Sequence, residues 1–163
     1  MPKKNNDKNL SPVSAILSSR GIPHQQFTHP GPIHSLEQAA AERNQTVHQV
    51  VRSILFRLAQ GEYAMVLVAG PNQVSWQALR QHFSQSRLTM ATPEEVLEVT
   101  GYQVGAVSPF GLPEDIPLLM DQAILSQPAV SIGSGRRGTT ILLTKENLMR
   151  ALGDIEIGLF TKP

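Results

Sequence analysis

The chain of 163 residues contains no cysteine. That absence excludes a disulfide framework, a thiol nucleophile and any zinc site built on thiolates. It also fits a reducing compartment, so a cytoplasmic location is expected. Charge is scarce: 17% of residues are charged, against roughly 25% in an average soluble protein. Fourteen Lys and Arg face thirteen Asp and Glu, a formal net charge of +1, which is low for a general duplex-DNA binder. No apolar run approaches the roughly 18 residues of a membrane span, so no membrane partner is expected. The opening MPKKNNDKNL has basic residues but no apolar stretch behind them, and is not expected to act as a secretory signal. Phosphate-loop, H-E-x-x-H and G-x-S-x-G motifs are all missing.

What is there suits one folded domain. Residues 1–10, rich in Lys and Asn, read as a disordered tail, and residues 11–163 as a single domain. Ser11-Pro12 starts a helix that stops at Gly21. Ser35-Leu36-Glu37-Gln38 and Thr92-Pro93-Glu94-Glu95 are capping boxes, while Ser75 and Thr144 cap further helices. Strands are expected at residues 24–28, 51–58, 63–69, 87–91, 116–120, 129–132 and 139–143. The unbroken apolar run from Tyr63 to Ala69 reads as a central strand buried on both faces. The last ten residues give no clear signal. Adjacent strands with interspersed helices predict a mixed α/β (α+β) domain.

Several features admit both a structural and a chemical reading. Arg52 shares a period-2 face with Ile54, Phe56 and Leu58; such a guanidinium either reaches water or pairs with an acid such as Asp121, or it meets a substrate phosphate. Asp121 ends an apolar strand, where a carboxylate forms a turn or cap, or holds a ligand's amine or hydroxyl. Gly105-Ala106-Val107-Ser108-Pro109-Phe110-Gly111 is either a plain connection or a loop that brings backbone groups close to a ligand. Gly133-Ser134-Gly135-Arg136-Arg137-Gly138 matches G-x-G-x-x-G, but the β-branched Thr139-Thr140-Ile141 after it argues for a hairpin rather than a dinucleotide-binding turn. That hairpin is then structural, or a phosphate or ribose contact. His29 ends a strand beside a proline loop and is a candidate pocket residue. With few carboxylates near His29 and His34, neither a metal nor another cofactor is expected.

Together these segments resemble the YbaK/prolyl-tRNA-synthetase-associated domain family of trans-editing aminoacyl-tRNA deacylases, over residues 13–152. Thr100-Gly101-Tyr102 through Gly111 is similar to its T-G-Y-x-x-G-x-x-x-P-x-G signature. Val50-Val51-Arg52-Ser53-Ile54-Leu55 is similar to its V-x-K-[ST]-L-[LV] strand, with Arg52 where Lys is usual. Pro117–Asp121 and Ser131–Gly138 resemble its strand-end Asp and its G-x-R-G hairpin. The resemblance implies a mixed, partly barrel-like sheet flanked by helices. It also implies hydrolysis of the ester on a mischarged tRNA by water, with a small amino acid such as Cys, Ala or Ser on proline tRNA. Backbone groups from Gly105 through Ser108 to Pro109 would position the reacting centre, and Arg52 would hold the terminal phosphate or adenosine. His29, Asp121, Gly133, Ser134, Gly135 and Arg136 would shape the pocket. The expected partners are the tRNA acceptor end and prolyl-tRNA synthetase; the rival expectation is a tRNA- or synthetase-binding module without hydrolysis. A third is a pocket for a free aminoacyl or nucleotide ligand. A basic patch around Arg52, Arg136 and Arg137 is expected to give modest, salt-sensitive tRNA binding.

Overall fold

The computed structural model describes residues 9–162; eight of the ten residues expected to form a tail lie outside them. Asn9 and Leu10 are inside, and their carbonyls accept from the Arg136 guanidinium at 3.0 and 2.9 Å. The chain then runs α1 (Pro12–Ser19), β1 (Gln25–Thr28), α2 (Leu36–Glu42), β2 (Val51–Arg57), β3 (Tyr63–Ala69), α3 (Trp76–Phe83) and β4 (Thr89–Met90). There follow α4 (Pro93–Thr100), β5 (Leu118–Asp121), β6 (Ala129–Gly133), β7 (Thr139–Thr144), α5 (Lys145–Leu152) and β8 (Glu156–Gly158).

Each α-helix starts where a side-chain oxygen satisfies an otherwise orphaned amide. Ser11, Ser35, Ser75, Thr92 and Thr144 each accept from the backbone three residues on. Thr92 and Glu95 complete the reciprocal capping box, and Gly101 ends α4 at φ +78°, a conformation that costs glycine little.

Two sheets form, ordered β1-β7-β6 and β4-β2-β3-β5-β8. They meet at an isolated parallel bridge between Val50 and Ser131 and do not close into a barrel, so the partly barrel-like expectation reduces to two joined sheets. β3 is central to the larger sheet, antiparallel to β2 and parallel to β5, and explains the unbroken apolar run. Met65 and Leu67 point into the core between the sheets with Met120, Ile132 and Ile141. Ala64, Val66 and Val68 point the other way, onto Phe56, Leu79 and Phe160. Each large side chain buried there contributes about 1.5–3 kcal/mol.

Three strand expectations change. The segment 87–91 pairs only at Thr89–Met90. The expected strand at 116–120 shifts to Leu118–Asp121, because Pro117 has no N–H to donate and offers only its carbonyl, to Met65. β8 was not expected; it adds in parallel to β5, from Leu119↔Glu156 to Asp121↔Gly158.

Candidate functional site

A cavity of about 510 Å³ opens along the seam between the sheets. Its walls come from α2, β2, the segment 104–107 and the end of β6, and are mainly apolar. Met90, Val104 and Ile33, which line it, are 57%, 48% and 40% exposed, so large apolar side chains face solvent there.

The 104–110 loop is held from several sides. The Tyr102 hydroxyl donates to the Phe110 carbonyl at 2.5 Å, Gly135 N–H donates to the Ala106 carbonyl, and Arg137 Nε donates to the Val104 carbonyl. Gly133 lets the loop lie directly on β6, because a Cβ there would collide with the Val107 carbonyl oxygen. Gly105 has φ +95°. The amides of Gly105 and Val107, both cavity-lining residues, have no hydrogen-bond acceptor among the described residues. Ser108 and Pro109 are buried behind this wall and do not line it; the Ser108 hydroxyl accepts from Phe110 N–H.

Arg52 lines the cavity, but its guanidinium donates to the carbonyls of Gly70 and Asn72, at 2.6 and 2.5 Å. It makes no ion pair with Asp121. Burial pulls its pKa below the usual arginine value. Asp121 is 1% exposed and away from the cavity; its two oxygens accept from Ala123 N–H and Phe160 N–H. It is the turn-forming carboxylate of the two readings the sequence left open. The Ser134 hydroxyl donates within its own hairpin, Gly135 packs on Pro12 and Tyr102, and Arg136 holds residues 9–10. Of the hairpin, only Gly133 reaches the cavity.

His29 is buried one layer behind the wall. Its Nδ1 meets Glu42 Oε1 at 2.7 Å, and its Nε2 meets Arg43 Nη1 at 2.8 Å. Since a guanidinium can only donate, Nε2 accepts and the ring proton sits on Nδ1, bonded to Glu42. That bond is the main cause holding the Glu42 carboxyl below the ordinary carboxylate range, with Gln38 next. Among the lining residues that sequence reasoning did not single out are Arg43, Ser131 and Ser53, whose buried Oγ has no partner among the described residues. Ser53 and Ser131 carried a signal, as members of the strand and hairpin motifs; Arg43 carried none. No group of three or more His, Asp or Glu among the described residues is placed to hold a metal, and no described helix is long and apolar enough to cross a membrane.

A two-sheet mixed α/β domain with a seam cavity walled by glycine-rich backbone defines a class, and comparison with known proteins identifies it. The chain belongs to the aminoacyl-tRNA editing domain family, whose model matches residues 30–151. Its fold matches the crystal structure of a proposed trans-editing enzyme for prolyl tRNA synthetase, at TM-score 0.84 and 28% identity, covering 95% of this chain and 100% of that one. The uncharacterized protein YwhH of Bacillus subtilis is 31% identical over 114 residues, 70% of this chain and 72% of its own. A proline–tRNA ligase of Kosmotoga olearia is 29% identical over 106 residues, which is 65% of this chain but only 18% of the ligase.

Proposed function

We propose that this protein is a freestanding aminoacyl-tRNA deacylase acting on a mischarged tRNA with a small amino acid, such as Cys, Ala or Ser, on proline tRNA. Family membership supports an editing role, and the cavity wall is consistent with hydrolysis by a bound water; the small amino acid and proline tRNA follow from the family resemblance. That wall offers two unspent amides, at Gly105 and Val107, and no side-chain nucleophile paired with a base. An aminoacyl ester is already activated, so orientation and a bound water suffice. Water attacks the ester carbonyl and the two amides receive the developing oxyanion. The acyl C–O bond then breaks, releasing the amino acid and returning a proton to the ribose oxygen, with the neighbouring ribose hydroxyl assisting. Arg52, on the β2 wall of the cavity, is the cation this reading assigns to the tRNA end. In this reading the partner is the acceptor end of tRNA, prolyl-tRNA synthetase is the candidate source of the substrate, and the setting is the cytoplasm.

One observation favours the rival, a tRNA-binding module without hydrolysis: two donors of Arg52 are already engaged with backbone carbonyls. The deciding experiment measures deacylation of tRNAs carrying Cys, Ala, Ser, Thr and Pro, with wild type, Arg52→Gln and no protein. Hydrolysis of a noncognate small ester, weakened in the variant, is expected. Bound tRNA with no ester cleaved would instead establish the binding module.

A further inference from the structure

The cavity wall contains a second cation, better placed for a ligand than Arg52. Arg43 caps the C-terminal end of α2 and is 8% exposed. Its guanidinium donates to Gln45 Oε1 at 3.1 Å, His29 Nε2 at 2.8 Å and Ser131 Oγ at 3.0 Å. None of these acceptors is charged, and no carboxylate lies within 4.0 Å among the described residues. The neighbouring Glu42 is engaged with His29 and Gln38 instead. A guanidinium has five N–H donors, so two remain unspent on a side chain that lines the cavity. Glu42 acts on Arg43 only through space, across the His29 ring, and burial remains the larger influence on the guanidinium; a buried cation with no carboxylate in contact is costly, and its cost falls when an oxyanion enters.

We propose that Arg43 is the oxyanion-binding side chain of the cavity, oriented by neutral His29 and by Ser131, and that it receives the phosphate of the substrate's terminal nucleotide. The oxyanion site is argued from Arg43's burial, its neutral partners and its place on the cavity wall; its assignment to a nucleotide rests on the tRNA reading above. An aminoacyl ester carries an α-ammonium at its other end, which a guanidinium repels, so the charge places the nucleotide end of the substrate toward Arg43. The same two N–H groups could instead donate to a side-chain carboxylate, the other source of an oxyanion in such a substrate.

The test titrates adenosine 5′-monophosphate, adenosine, aspartate and alanine into the full chain by calorimetry at low salt. Wild type is compared with Arg43→Gln, Arg43→Lys and, as an exposed charge control, Arg87→Gln. Wild type and R87Q are expected to bind the monophosphate at least about tenfold more tightly than adenosine, a preference R43Q abolishes and R43K keeps in part. Unchanged adenosine affinity in R43Q shows that the variant is folded; if it does not fold, R43K carries the comparison. Aspartate binding that depends on Arg43, without a monophosphate preference, would keep the oxyanion site but overturn the phosphate assignment. Equal affinities in wild type, no binding of any probe, or a preference that survives in R43Q or is undiminished in R43K would overturn the whole proposal. Deacylation without the preference would leave the proposed function standing, and the preference without deacylation would leave the oxyanion site standing.

Discussion

Gly133→Ala tests whether the cavity wall depends on β6 meeting the 104–107 loop without a side chain between them. Gly133 pairs with Thr140 in an ordinary strand, so its backbone accepts alanine and the perturbation is purely steric. The new Cβ would overlap the Val107 carbonyl oxygen, and would lie 2.8 Å from its carbonyl carbon and 3.0 Å from the Ala106 oxygen. Restoring an ordinary carbon–carbon contact of about 3.5 Å moves that carbon by roughly 0.7 Å. Overpacking of this kind costs about 1–3 kcal/mol, which lowers Tm by roughly 3–10 °C in a chain of this size. A displacement approaching 1 Å in a positioning loop costs on the order of a hundredfold in kcat/KM. Thermal melts and deacylation of the preferred ester, run beside Gly31→Ala, measure both effects; a Cβ at Gly31 meets nothing within 4 Å, so that control is expected to behave as wild type. A G133A variant with wild-type melting and wild-type rate would refute the reasoning.

Asp121→Ala leaves the Phe160 and Ala123 amides without their acceptor; a loss of about 2–3 kcal/mol in urea unfolding is expected, with deacylation by the folded protein unchanged. Ser53→Ala removes an orphaned hydroxyl, so stability is expected to rise by up to about 1 kcal/mol while kcat/KM falls, and a falling Tm would count against this. The carboxyls of Glu42 and Glu95 are held below the usual range, Glu42 by its bond to His29 and Glu95 chiefly by the Thr92 amide and then Tyr63. Their stabilisation is therefore present above the unfolded-state pKa, about 4.3, and is lost as pH falls through the lower folded values. Acid titrations of Tm are expected to be flatter in the Glu42→Gln, Glu95→Gln double variant than in wild type, and an unchanged acid slope would show that these carboxyls do not carry it.

Where a signal is local, the sequence reads directly. Ser11-Pro12 and Thr92-Pro93-Glu94-Glu95 state their helix starts because the cap and the capped amide lie three residues apart, and Gly101 states the stop. The Tyr63–Ala69 run states a central strand because both faces are apolar. β8 gives no such statement: Glu156 and Ile157 are exposed, and the strand exists only because the edge of β5 offers it a partner. Arg43 was missed for a related reason. In sequence it is a basic residue in the last turn of a helix, where a cation is favourable anyway; its burial depends on Ser131, 88 residues further on. Arg52 was placed on the right face, but its acceptors are loop carbonyls, which no side-chain pattern announces.

The composition of the cavity also limits what it can select. Its walls are mainly apolar side chains, with backbone at Gly105 and Gly133, and such a surface discriminates one methylene by only about 1–3 kcal/mol. It rejects an added hydroxyl on a small side chain no better, unless a buried group is left unpaired by the wrong substrate. Ser53 lines the cavity with a buried hydroxyl that has no partner among the described residues, and is placed to act in that way on a small side chain. Esters of Ala, Cys and Ser are therefore expected to differ in kcat/KM by no more than about a hundredfold, and replacing Ser53 with Ala is expected to change the Ser-to-Ala ratio more than the Cys-to-Ala ratio. A larger intrinsic preference, surviving that substitution, would point to a polar contact from another lining side chain, such as Ser131 or Arg43.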